Sequence, residues 1–444
     1  MTPAAAVERL LGLAPFEHAR MQPGLERIQA VLAALDHPER GLAIVHVGGT
    51  NGKGSVSALT EAILRAAGLR TGLYTSPHLL DVTERVRIAG APVSRDVLGR
   101  LAARLDPWLQ AGSLTFFEAI TAVAFLAFQE ARVDAAILEV GMGGRWDATN
   151  VGPPGVSVIT RIDHDHQQYL GRHLAEIAAE KAAIIRGPGA IALSAAQAPE
   201  AMEVVRARSL AVGVPFFVEG EALAVDVVRS DLQGHRLHVA GNGPGDAFAL
   251  RDVELALAGL YQPANAVLAL GAVRAFAALT GRSVSEAAMR TGCADVRWPG
   301  RFQVIPVPRP EPGRPRYALL DGAHNPAGAQ ALAASIRHVF PAATVSLVLG
   351  ISADKDRAGI LKALAPLGTR LYLTAASNPR AAAPADLAGE LPPVDAAVSL
   401  APDIGAALPA ALAAGDADVV CVAGSLFLIA DALRWQAEKG LVAA

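Results

Sequence analysis

The sequence predicts an α/β fold in which a mostly parallel sheet is covered by helices. Three observations carry that expectation. Apolar strand-like segments alternate with helix-like segments for most of the chain, the pattern of parallel strands joined by helical crossovers. One alternation, Leu42 to Ala67, passes from strand to helix through a glycine-rich turn that holds a lysine. A second strand–helix series starts beyond Arg297-Trp298-Pro299-Gly300-Arg301. A chain of 444 residues exceeds a typical single core, so the expected units are residues 1–296 and a smaller α/β domain at 297–444.

In chain order, Leu42–Val47 is the first strand, and a helix follows from Ser55 to Ala67. Between them lies Gly49-Thr50-Asn51-Gly52-Lys53-Gly54-Ser55. Backbone N–H groups at such a turn, with the positive end of the helix dipole, favour phosphate oxygens. The lysine adds a point charge, and a hydroxyl can ligate Mg²⁺. The strict pattern G-x-x-x-x-G-K-[ST] is not met, because Gly54 follows the lysine and Val47 stands where its first glycine belongs. The match is to a compact variant. The alternative is an ordinary strand-to-helix turn.

Helix Phe117–Gln129 and strand Ala135–Glu139 come next, then strand Val156–Thr160, helix Leu174–Ile185, strand Ala190–Leu193 and helix Pro199–Val212. Residues 221–250 become short and β-rich, with turns at Gly234 and Gly241–Gly245, which reads as a small insertion. Helices resume at Asn265–Leu279 and Ser283–Thr291. After the junction, Tyr317–Leu320, Val345–Leu349, Arg370–Thr374 and Val419–Val422 read as strands, with helices beginning near Ala327, Asp356, Pro402 and Leu426. No repeat recurs at a fixed period.

Composition narrows the function. Mean hydropathy is +0.34, yet no uninterrupted apolar run is long enough to span a bilayer. The closest, Val419 to Ala430, contains Gly424 and Ser425 and stops at Asp431, as a buried strand and helix would. No secretory leader pattern opens the chain. A net charge of −3 argues against a broad nucleic-acid surface, and Pro308 to Arg316 reads as a solvated loop between strands. Two cysteines, Cys293 and Cys421, in apolar surroundings fit inert core thiols in a reducing cytoplasm.

Several residues sit where chemistry is expected. Glu139 ends an apolar strand and precedes the turn Gly141-Met142-Gly143-Gly144-Arg145-Trp146-Asp147-Ala148-Thr149-Asn150. Ligands of open α/β sheets gather at the carboxyl ends of strands, and a carboxylate there can hold the Mg²⁺ that bridges nucleotide phosphates. The cluster Arg161-Ile162-Asp163-His164-Asp165-His166 follows another strand and reads either as a metal site or as helix capping. For Lys181, composition leaves open the plain alternative of an exposed helical lysine. Asp321-Gly322-Ala323-His324-Asn325-Pro326 again follows a strand, with Asn325 and Pro326 suited to start a helix.

Together these segments resemble folylpolyglutamate synthase and the bifunctional dihydrofolate synthase/folylpolyglutamate synthase of the Mur ligase superfamily. The carrying pieces are GTNGKGS at Gly49, TSPHL at Thr75, EVGMGGRWDATN at Glu139, DHDHQQYLG at Asp163, EKAAII at Glu180, PGRF at Pro299 and DGAHNP at Asp321, in the family's order. The resemblance implies a P-loop-type ATPase domain with a small β-rich insertion and a smaller Rossmann-like domain that binds glutamate. It implies an activity: a folate-type carboxylate takes the γ-phosphoryl group of ATP, and the amine of L-glutamate attacks the acyl phosphate. Either dihydropteroate or a reduced folate fits as acceptor.

The same resemblance implies site roles. Lys53 and the amides of Gly49, Thr50, Asn51, Gly52, Gly54 and Ser55 hold ATP. Ser55 resembles a ligand of one Mg²⁺; Ser76, Glu139 and His166 resemble ligands of a second. Lys181 matches a lysine carbamylated to N6-carboxylysine. Asn265, Arg301, Asp321 and His324 match positions that approach ATP, with Lys53, Lys181, His166 and Arg301 expected to be catalytic. Met21, Gln22, Pro23 and Gly24, Thr115, Phe116, Phe117 and Glu118, and Asp147 and Ala148 match pterin contacts. One departure is Gly259-Leu260-Tyr261-Gln262-Pro263-Ala264-Asn265, where the family commonly has histidine at the position of Tyr261. The expected enzyme is a cytoplasmic monomer acting on small molecules, without nucleic-acid or membrane partners. Two other readings remain: a Mur-like ligase of cell-wall or polymer precursors, and a nucleotide-dependent switch without ligation.

Overall fold

A computed structural model describes residues 2–14, 23–152, 155–243, 245, 247–307, 316–415 and 417–439. Its first sheet has eight strands: β1 Ile44–Gly48, β2 Thr71–Tyr74, β3 Val86–Ile88, β4 Ala91–Pro92, β5 Ala135–Glu139, β6 Val156–Ile159, β7 Ile191–Ser194 and β8 Phe216–Val218. Their order is β4-β3-β2-β5-β1-β6-β7-β8. The six strands from β2 to β8 are parallel, and β3 and β4 form an antiparallel edge. Strand β1 is central, with β5 on one side and β6 on the other. The chain leaves β1 toward one flank and later returns to the other, which opens a crevice at the carboxyl ends. Glu139, Gly49 and Thr160 sit at that rim because their strands are in register: Val47 pairs with Glu139, and Gly48 with Ile159.

Both faces of this sheet are covered. On one, the helices Lys53–Ala66, Gln262–Thr280 and Glu286–Asp295 pack with a three-stranded antiparallel unit, Leu223–Asp231, Gly234–Gly241 and Phe248–Leu255. Helix Lys53–Ala66 meets helix Glu286–Asp295 so closely that a Cβ on Gly292 would lie 2.4 Å from Ile63 Cα. On the other face, Pro3–Leu11, Glu26–Ala34, Arg95–Ala103 and Phe116–Ala131 enclose a second core. Helix Gln262–Thr280 is long and apolar enough to cross a membrane, a property that reading uninterrupted apolar runs missed. In the fold it is mostly buried in the core and carries Asn265 at its start.

The second sheet runs β12-β13-β17-β14-β15-β16, with β9–β11 being the three insertion strands just given; its members are Gln303–Val307, Arg316–Asp321, Val419–Ala423, Val345–Leu349, Arg370–Leu373 and Ala397–Leu400 in that spatial order. All pairings are parallel except the edge pair β12–β13. Pro306, which has no N–H to give a ladder, lies in that edge strand. The intervening residues 308–315, expected as a loop, lie outside the described residues.

Candidate functional site

The carboxyl ends of both sheets face one cleft of about 1370 Å³. Gly49, at φ +139°, lies so close to β6 that a Cβ would come within 2.0 Å of Thr160 Oγ1. Gly52, at φ +97°, precedes the helix Lys53–Ala66, and a Cβ there would meet Asn265 Oδ1 at 2.4 Å. Glycine is therefore required at both by conformation and by space. The turn aims the first N–H groups of a buried 14-residue helix into the cleft.

Two lysines converge on this loop. Lys53 Nζ donates to the carbonyls of Gly49 at 3.2 Å and Thr50 at 3.1 Å. Lys181 Nζ donates to the same Gly49 carbonyl at 2.8 Å. Lys181 is 3% exposed, which removes the alternative of a solvent-facing helical lysine. Its helix ends at Ala182 rather than Ile185, and Ile184 and Ile185 turn into the core beneath it. Burial, then the neighbouring Lys53 cation, brings the Lys181 amine down to about 7. Burial also lowers Lys53, opposed by the carboxylates of Glu139 and Asp165.

Glu139 is buried at the end of β5 and accepts the Ser76 N–H at 3.2 Å. Burial pushes its carboxyl up, and the Lys53 cation and the Ser76 N–H pull it back. Ser55 Oγ, also buried, accepts from Gln262 Nε2 at 3.3 Å. This is a hard-oxygen set with few protein ligands, which fits Mg²⁺ shared with phosphate oxygens and water. Among the described residues no group of three or more His, Cys, Asp or Glu side chains forms a metal cage. His166 Nε2 lies 3.4 Å from Lys355 Nζ. Its proton affinity is lowered to about 3, first by burial. The imidazole is therefore neutral, as metal ligation requires.

The His166 neighbourhood joins the two domains. Asp165 Oδ1 takes Lys355 Nζ at 2.5 Å, and Oδ2 accepts Asn325 Nδ2 at 3.4 Å. Burial opposes ionisation of Asp165, but contacts with His324 and Lys355 outweigh it and hold the carboxyl well below the usual range. Asn325 caps the helix Pro326–Val339, its Oδ1 accepting the Gly328 N–H at 2.8 Å, as its sequence position suggested. It also exchanges amide contacts with Asn51 of the phosphate loop, at 3.0 and 3.2 Å. Thr50 Oγ1 is spent on the segment after β6, donating to the Asp163 carbonyl and accepting the Asp163 N–H. Arg301, Asp321 and His324 line the cleft from the second domain, and Asn265 from the first.

Of the positions expected to contact pterin, Gly24, Thr115, Phe117, Glu118, Asp147 and Ala148 line the same cleft. Thr115 and Glu118 are a capping box for helix Phe116–Ala131: Glu118 N–H reaches Thr115 Oγ1 at 3.2 Å, and Thr115 N–H reaches Glu118 Oε2 at 2.8 Å. Glu118 Oε1 also takes Arg27 Nε at 3.0 Å. Phe117 and Ala148 line the wall, while Phe116 is buried beneath the Arg85 guanidinium, 4.8 Å from its ring centre. Asp147 departs from expectation. Its Oδ2 accepts the N–H groups of Gly141 and Met142, and its Oδ1 accepts the Thr149 N–H and hydroxyl. Four donors fill the carboxylate, so it organises its own turn instead of offering a free edge. Gly24 lines the cleft, and Pro23 lies beside it. Met21 and Gln22 lie outside the described residues.

Sequence reading missed Lys355 and Arg85 as cleft residues, and it noted Tyr261 only as a departure from the family's histidine. Lys355 follows the strand Val345–Leu349 and precedes a helix, so the strand-end rule applied to Glu139 and Asp321 would have found it. Arg85 lies buried behind His78, donating to its Nδ1 at 3.0 Å, and no spacing signals that pairing.

Residues 47–273 match the Mur ligase middle domain, and residues 300–426 the Mur ligase glutamate ligase domain. The dihydrofolate synthase/folylpolyglutamate synthase of Mycobacterium tuberculosis is 39% identical, over 82% of this chain and 77% of its own. The Bacillus subtilis protein of the same name is 33% identical, over 83% and 84%. A folylpolyglutamate synthase structure from Mycobacterium tuberculosis, complexed with ADP and AMPPCP, superposes with a TM-score of 0.85 at 35% identity, covering 97% of this chain and 99% of that one. The E. coli FolC structure with DHPP and ADP gives 0.87 at 31% identity, over 99% and 100%.

Proposed function

This chain belongs to the Mur ligase family and groups there with the dihydrofolate synthase/folylpolyglutamate synthases, and on that premise we propose that it is an ATP-dependent ligase joining L-glutamate to dihydropteroate, to reduced folates, or to both. The observation that carries the reading is one cleft lined by Lys53, Glu139 and Lys181 from the first domain and by Arg301, Asp321, His324 and Lys355 from the second. We take residues 1–296 and 297–444 as those two units.

A carboxylate is a poor electrophile, and phosphorylation gives it a leaving group. A carboxylate oxygen attacks Pγ, the bond from Pγ to the ADP oxygen breaks, and an acyl phosphate results. The glutamate nitrogen, free of its extra proton, then attacks the acyl carbon; phosphate leaves and the new amide loses one more proton. The enzyme's part is to align these groups and neutralise charge. Lys53 and the amides of Gly49 to Ser55 hold the phosphates, and Arg301, Asp321, His324 and Asn265 close over the nucleotide. Two Mg²⁺ ions are proposed, one at Ser55 and one at Ser76, Glu139 and His166; bound there, they would neutralise the oxygens of the transferred group. Lys181, carbamylated, would exchange its cation for an anion beside that site.

The acceptor's pterin would lie toward residues 21–24, Thr115–Glu118 and the Asp147-Ala148 turn. We take the enzyme as a cytoplasmic monomer of small-molecule metabolism. Its test is a product assay with ATP, Mg²⁺ and glutamate, run in parallel on dihydropteroate and tetrahydrofolate. ADP release that requires both acid and glutamate, with a new amide in at least one arm, supports the proposal. Folded protein that binds nucleotide but makes no amide, or hydrolyses ATP without either co-substrate, rejects it in favour of a switch.

A further inference from the structure

We propose that Tyr261 is a positioning residue for nucleotide use, its hydroxyl tying the Asp321 carboxylate of the second domain to the phosphate loop of the first. The inference rests on the ligase reading above. Tyr261 Oη donates to Asp321 Oδ2 at 2.7 Å. The same oxygen accepts the Phe302 N–H at 2.8 Å, and Oδ1 accepts the Ala323 N–H at 2.8 Å. Phe302 and Ala323 belong to the junction and to the second domain's own turn. Of these three donors, Tyr261 alone comes from the first domain.

The link continues on the other side of Tyr261. It immediately precedes the helix Gln262–Thr280, and Gln262 Nε2 donates to Ser55 Oγ at 3.3 Å. Asn265 Nδ2 donates to Gln262 Oε1 at 3.0 Å, and Asn265 is the residue packed against Gly52. A path of contacts therefore runs Asp321–Tyr261–Gln262–Ser55, from the second domain's nucleotide-facing edge to the start of the phosphate-binding helix. Gly259, at φ +101°, makes the approach possible. A Cβ there would lie 3.2 Å from both the Tyr261 ring and Phe302. Gly322, next to Asp321, lies against Arg301, since a Cβ on it would come within 2.7 Å of Arg301 Nη1. Fixing Asp321 therefore fixes the surface that Arg301 and His324 present to the cleft.

The tyrosine hydroxyl has an electrostatic consequence that a packing role lacks. Burial pushes the Asp321 carboxyl up; the Tyr261 hydrogen bond, then the Arg301 cation, pull it back. The other titratable groups near it are Cys421, on the strand paired with Arg316–Asp321, and His324, three residues on and lining the same cleft. Losing the hydroxyl removes a bond to the charged form, so the Asp321 carboxyl rises further.

The test is Tyr261→Phe, which keeps the ring and its packing. Nucleotide affinity is read with AMPPCP by calorimetry, turnover by ADP release, and folding by thermal melting. The expected result is a roughly tenfold weaker grip on nucleotide, seen in both AMPPCP affinity and KM for ATP, with the cooperative melt retained and its midpoint lowered by only about a few degrees. The acid limb of the pH–rate profile moves to higher pH. A double-mutant cycle adds Asp321→Ala, which removes the acceptor: if Tyr261 acts through Asp321, Tyr261→Phe costs little more affinity in that background. Wild-type AMPPCP affinity and acid limb in Tyr261→Phe, or a full extra penalty on top of Asp321→Ala, overturns the inference. If the unaltered protein makes no amide, the ligase reading has failed instead.

Discussion

Lys181 offers the sharpest quantitative test. Carbon dioxide adds only to an uncharged amine, so the population of neutral lysine decides whether a carbamate can form. An ordinary lysine at 10.5 is neutral in about one molecule in 3000 at pH 7; with the amine at about 7, half the molecules are neutral. Burial and the Lys53 cation therefore raise the reactive population about 1500-fold. The carbamate formed there is an anion beside the Lys53 cation, which also favours keeping it. The assay is carbon-13 NMR of the protein in labelled bicarbonate from pH 6 to 9, with Lys181→Met as the blank. A resonance missing from the variant, growing with a midpoint near pH 7, is expected. Activity should fall in CO₂-stripped buffer and return with bicarbonate. An active enzyme with no Lys181-dependent resonance at pH 8, or with a midpoint near 10, refutes the reasoning.

Other outcomes follow from the same geometry. Lys181→Met should abolish ligation yet raise stability at pH 7, because the native amine binds fewer protons than the unfolded one between pH 7 and 10.5. The charge term is roughly 4 kcal/mol at most, less about 1 for the lost bond to Gly49, and stability of the unaltered protein should climb with pH across that window. Urea unfolding at several pH values measures both. Lys53→Ala should lower kcat by roughly 100- to 1000-fold with little change in melting temperature, since its amine bonds only loop carbonyls here. Glu139→Ala should raise the Mg²⁺ concentration needed for half-maximal rate; an unchanged Mg²⁺ titration would remove Glu139 from the metal site. Gly49→Ala should destabilise the protein by about 2–4 kcal/mol, from backbone strain at φ +139° and the collision with Thr160. A denaturant midpoint like that of the unaltered protein would contradict it.

Where sequence reading succeeded, the determinants were local. A strand's apolar run, the glycine after it and the cap of the next helix lie within a few residues of one another, so the ends at Glu139 and Asp321 were visible in the chain itself. Short edge strands were not. Val86–Ile88 and Ala91–Pro92 have five residues between them and turn through Ala89 at φ +49° and Gly90, too little sequence for a period to show. Helix Pro3–Leu11 also went unread, though Thr2 caps it and Pro3 opens it.

The site's chemistry was less legible than its location, because type and spacing do not say what a side chain already bonds. Asp147 has the right chemistry for a pterin edge, yet its four acceptor positions are filled by Gly141, Met142 and Thr149. Lys181 has a helical, alanine-rich context that suits solvent, yet the turn of Ile184 and Ile185 seals it in. The contacts that make one cleft out of two sheets are longer-range still: Asp165 with Lys355, Asn51 with Asn325, Tyr261 with Asp321. Each partner is an unremarkable residue at a strand or helix end. Only the docking of one sheet's carboxyl edge onto the other's makes them neighbours. Substituting either member of such a pair should thus disturb ligation through the geometry of closure, with the fold of each separate sheet left in place.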